Sequence, residues 1–140
     1  MASMMLPMRY APVELSAIEN ARANFERWLD CVPQRRCRQN AQLLTLLDDS
    51  GLLFHSITRG LLPTQRRRLQ QLGLAGLSER ERLLIVADNL CVICSAISAL
   101  CEQSDVDECG EHLLDRVNAA LIRTRNHIRQ LLQQLSPEDH

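Results

Sequence analysis

From Ser78 to Gln103 the chain reads SERERLLIVADNLCVICSAISALCEQ, and its apolar positions sort onto two stripes. Val86, Leu90, Ile93, Ile97 and Leu100 recur at steps of four and three, the rhythm of one face of an α-helix. Ala87, Cys91, Cys94, Ser98 and Cys101 repeat it one position on, as a second face of small side chains. The polar remainder is a seam of Glu81, Asp88, Ser95 and Glu102. A helix with so narrow a seam is normally buried on most sides. Ser78 and Glu81 have the spacing of a capping box, and Glu79 and Glu81 suit the positive end of the helix dipole.

The last predicted helix, 106–135, carries the clearest repeat. Leu114, Leu121, Ile128 and Leu135 stand seven apart, with Val117, Thr124 and Leu131 between them at the second core position. That heptad suits an antiparallel hairpin with the central helix, the connection near Ser104-Asp105 being short. Thr124 is its weak layer. Upstream, Pro12 opens an amphipathic helix that ends near Val32, laid out by Val13, Leu15, Ile18, Phe25, Trp28 and Leu29. Pro33 ends it and opens a second helix, which carries Leu43, Leu44, Leu46 and Leu47 inward and stops at Asp48-Asp49-Ser50-Gly51. Residues 52–60 read as a short helix or a strand. Pro63-Thr64 begins a short helix closed by Gly73, and Gly73 to Leu77 connects it to the central helix.

The fold class expected is all-α: one bundle of four to six helices over residues 12–135, ending in a long antiparallel hairpin. Residues 1–11 read as a lead-in and 136–140 as a tail. The chain's 140 residues suffice for one domain with its own core. Aromatic content of 3% makes that core aliphatic, as in helix bundles. The N-terminal MASMMLPMRYAP lacks the pattern of a secretory signal. Asp88 and Asn89 interrupt the central apolar run below the ~18–20 residues a bilayer span needs, so no membrane span is expected. Six cysteines without a signal point to free thiols and a cytoplasmic location.

Charge adds one asymmetry. All sixteen basic residues are arginine, a bias that a GC-rich genome also produces. Ten arginines face six acids through Ser78, and six face eleven beyond it. Two basic clusters, Arg35, Arg36 and Arg38, then Arg66, Arg67 and Arg68, are candidates for nucleic-acid contact. LSERERLL, Leu77 to Leu84, resembles the opening of response-regulator helix-turn-helix domains over those eight residues. The residues after Leu84 hold no glycine turn and no polar recognition helix, so the likeness amounts to a shared cap.

Cys91-x2-Cys94 and Cys109-x2-His112 together have a Cys3His zinc spacing. On helices the spacing loosens, because a hairpin folding near residue 104 sets Cys91 about two turns from the level of Cys109. Small core cysteines are the simpler reading. Cys109, His112 and Asp115 stack on one helix face, a pattern that specifies little by itself. The sequence has no glycine-rich phosphate loop and none of the hydrolase or metalloprotease motifs.

The function expected is therefore non-enzymatic: a regulatory or adaptor protein working through protein–protein contacts as a homodimer. Its partner surface is expected on Leu90, Ile93 and Ile97 of the central helix with Leu121 and Ile128 of the last. Nucleic-acid binding through the two arginine clusters is the alternative, and a zinc-stabilised domain the distant one. No cofactor, catalytic residue or small-molecule substrate is expected.

Overall fold

The computed structural model describes residues 12–31, 37–58, 60–102 and 108–135, and every regular element among them is a helix. In chain order these are α1 (Pro12–Cys31), α2 (Cys37–Thr58), α3 (Pro63–Gln71), α4 (Glu79–Cys101) and α5 (Glu108–Gln134). The expected all-α bundle is thus present with five helices. The segments 1–11 and 136–140, set apart as lead-in and tail, lie outside the described residues.

Four helices form the bundle and α3 sits in the connection between α2 and α4. Helix α1 packs on α2 and α5, and α4 packs on the same two, so α1 and α4 face each other across the core. Neighbours run antiparallel. Arg22 near the middle of α1 meets Asp48 of α2, while Ile18 lies against Gly51. Arg82 in the first turns of α4 reaches Ser56 near the end of α2. Across α4 and α5 the pairs are Cys91 with Arg125, Ser98 with Asn118 and Cys101 with Asp115. Up-down-up-down order with short links is the usual topology of such bundles.

Sequence pattern explains the packing. The large-residue stripe of α4 (Val86, Leu90, Ile93, Ile97, Leu100) is buried throughout. So is the α5 heptad from Leu114 to Leu135, Thr124 included. Thr124 Oγ1 donates to the Ala120 carbonyl at 2.9 Å, so the hydroxyl in this layer is satisfied by its own helix. Leu15, Ile18, Phe25 and Trp28 bury the inner face of α1, with the Phe25 and Trp28 rings stacked at 5.3 Å.

The ends are closed as the residue types suggest. At the start of α4, Ser78 Oγ accepts from Glu81 N–H at 3.2 Å and Ser78 N–H donates to Glu81 Oε1 at 3.1 Å, which completes the capping box. Gly73 takes φ 75° just past α3. Leu74 N–H bonds to the Leu69 carbonyl and Gly73 N–H to the Gln70 carbonyl, a Schellman closure that favours glycine.

Two expectations need correcting. Helix α2 does not stop at Asp48-Asp49-Ser50-Gly51 but runs through to Thr58, so 52–57 is neither strand nor separate helix. Each supposed stop residue has a use within the helix. Asp48 pairs with Arg22 at 2.8 Å, Asp49 with Arg68 at 3.4 Å, and Ser50 Oγ bonds back to the Leu46 carbonyl. Gly51 faces Ile18, where even an added Cβ would stand 3.6 Å from Ile18 Cγ2. The second correction concerns α4, which by length and composition is apolar enough to cross a membrane: its most apolar window has a mean hydropathy of 2.2. Asp88 and Asn89 do not lower that mean enough. A bundle's core helix passes the same test, and 44% of this window is buried inside the fold.

Candidate functional site

The two sides of α4 are finished differently. Towards α5 its small-residue face has a polar rim. Asn118 Nδ2 donates to Ser98 Oγ at 3.4 Å, and Cys101 Sγ lies 3.7 Å from Asp115 Oδ1. Burial, reinforced by Asp115, pushes the Cys101 thiol up from its ordinary value. Towards α2, Arg82 reaches Ser56 Oγ, and further along α4 lies an apolar cleft of about 420 Å³ between the two helices. Leu43 and Leu46 of α2 form one wall and Val92, Ala96, Ala99 and Leu100 of α4 the other, with Asn40 and Gln42 at the α2 end. Val92 is 57% exposed, one of three large apolar side chains so exposed among the described residues.

The residues expected to form a partner surface are interior ones. Leu90, Ile93, Ile97, Leu121 and Ile128 are all wholly buried in the chain's own core, so none is available to a partner. The heptad on α5 and the large face on α4 are spent on each other and on the bundle. Val92, Ala96 and Ala99 belong to neither apolar stripe of α4, so periodicity does not mark them. That was also the available signal: Val92 is the large residue in mid-helix that the two core faces leave over.

The charged and metal-ligating candidates are dispersed. Arg35 and Arg36, and the side chain of Arg38, lie outside the described residues. Arg66, Arg67 and Arg68 are exposed on α3, and Arg68 pairs with Asp49. The two arginine clusters therefore cannot be assembled into one face from the described residues. For zinc the register is decisive. Cys91 is level with Arg125 of α5, sixteen residues beyond Cys109, which separates the two cysteines along the axis by about 24 Å at helical rise. The offset is larger than a symmetric hairpin would give, because the first turns of α5 overshoot the end of α4 before Asp115 draws level with Cys101. Cys94 is buried, whereas Cys109 and His112 are exposed. Among the described residues no three His, Cys, Asp or Glu side chains come together to hold a metal ion. Asp115, third of the Cys109, His112 and Asp115 trio, is engaged by Cys101.

Fold and site together define a four-helix bundle with an apolar cleft between its second and fourth helices. The chain matches no known protein family, no curated protein and no solved structure.

Proposed function

We propose that this protein is a non-enzymatic regulator or adaptor acting by protein–protein contact, as a homodimer joined through the α2–α4 cleft. The observation that carries this reading is Val92, 57% exposed in a cleft lined by Leu43, Leu46, Ala96, Ala99 and Leu100, with Asn40 and Gln42 at one end. Exposed apolar surface of this kind marks interaction sites. Ala96 and Ala99 beside it are small enough for a second helix to approach closely, as in helix-in-groove recognition. A two-fold pairing of α4 with its copy uses the same residues from both chains, which a symmetric dimer requires. Light scattering after size exclusion over rising concentration tests it. Twice the 15.9 kDa chain mass is expected; a single-chain mass at every concentration overturns the dimer.

Arg66 and Arg67 support the second reading, nucleic-acid binding. Both are exposed on α3 and have no ion-pair partner among the described residues. Such binding falls steeply with salt. Duplex and single-strand affinities that do not change when both are replaced by glutamine would rule it out.

A further inference from the structure

Cys91 differs from the other described cysteines in what surrounds it. It is half-buried on the α5 side of α4, and Arg129 Nη2 donates to its Sγ at 3.0 Å. Arg125 Nη1 stands 4.0 Å from the same sulfur. The two arginines are four apart on α5, so they share a face one turn from each other. Neither forms an ion pair among the described residues, and Asp88, three positions before Cys91 on α4, is exposed and bonded to neither. Arg125 has one further contact, Asn126 Oδ1 at 3.5 Å, and its Nε is buried with no hydrogen-bond partner. Two cations, one with an orphaned buried donor, thus converge on one sulfur with no carboxylate between them.

We propose that Cys91 is an oxidative modification site, converted by a hydroperoxide to a sulfinate that Arg125 and Arg129 hold. In the first step the sulfur attacks one peroxide oxygen, the O–O bond breaks and an S–O bond forms. The leaving oxygen takes the thiol proton, giving the sulfenic acid and an alcohol, or water from hydrogen peroxide. Sulfur loses two electrons and the peroxide gains them. A second equivalent of peroxide repeats the exchange to the sulfinic acid, which releases its proton to solvent. Negative charge sits on sulfur as the thiol gives up its proton, passes to the departing oxygen in the attack, and in the sulfinate rests on the two product oxygens; guanidiniums are strong donors to such groups. Cys94, one turn further on, is only 5% exposed and burial pushes its thiol up. It is therefore a poor attacker of the sulfenic acid, and the path runs to sulfinate rather than to a Cys91–Cys94 disulfide.

Cys109 supplies the internal control, being exposed on α5. Trypsin releases Cys91, Cys94, Cys101 and Cys109 on one peptide between Arg82 and Arg116, so fragmentation assigns added oxygen among them. With graded hydrogen peroxide on the intact protein, Cys91 is expected to gain two oxygens about tenfold faster than Cys109, despite its lower exposure. Arg129 is exposed, so Arg129→Gln is expected to keep the helical circular dichroism while bringing the two rates level. Faster oxidation of Cys109 in the wild type would show exposure alone in control and overturn the proposal. So would an unchanged Cys91 rate in R129Q, or a Cys91–Cys94 disulfide as the main product.

Discussion

Helix α4 meets α5 and α2 with the same kind of side chain and reaches opposite results. Against α5, a heptad stripe with a second core position supplies a matching row, and Leu90, Ile93 and Ile97 disappear with Leu121 and Ile128 into a closed core. Against α2 the match holds at one end, where Arg82 reaches Ser56. It lapses at the other, where Leu43 and Leu46 stay half-buried and Val92 stays exposed. The lesson is that an apolar helix does not advertise which of its faces is for a partner. The most hydrophobic positions are the ones the chain buries itself, and what stays exposed is the smaller, less regular set between the stripes.

That contrast can be broken from either side. Truncating the closed face is expected to have the largest effect. Ile93→Ala or Leu121→Ala, both fully buried, should each lower unfolding free energy by about 3 kcal/mol in urea titrations. Val92→Ala on the open face should change monomer stability by less than about 0.5 kcal/mol. Equal losses from both would mean that the cleft is closed in solution. A smaller effect, of opposite sign, is expected at Gly51 in the middle of α2. An added methyl meets Ile18 only at 3.6 Å, ordinary contact. Gly51→Ala should therefore raise stability by about 0.5–1 kcal/mol through backbone entropy, read as a higher urea midpoint with an unchanged slope.

Much of the bundle was legible in the sequence because periodicity and caps are local. The Ser78–Glu81 box, the α5 heptad and the Phe25 and Trp28 core are where their spacing puts them. What was not legible depends on partners distant in sequence. The polar run Asp48-Asp49-Ser50-Gly51 looks like a terminus until Arg22, Arg68 and Ile18 arrive to occupy it. Hairpin register is equally non-local: the shift that sets Cys91 opposite Arg125 depends on how far α5 overshoots α4, and no residue spacing encodes it. The same shift separates the zinc-like cysteines and brings the two arginines to Cys91. For the cleft the sequence held only a residue left over, Val92.

The most direct test of the cleft as a contact surface compares two exposed residues of α4 by sedimentation equilibrium. Val92 lines the cleft, whereas Leu84, 41% exposed on the same helix, does not. Val92→Arg should give a monomer with unchanged circular dichroism and a urea midpoint that no longer rises with protein concentration, while Leu84→Arg should remain dimeric. Dimers of equal strength in both variants would contradict the assignment of the α2–α4 cleft.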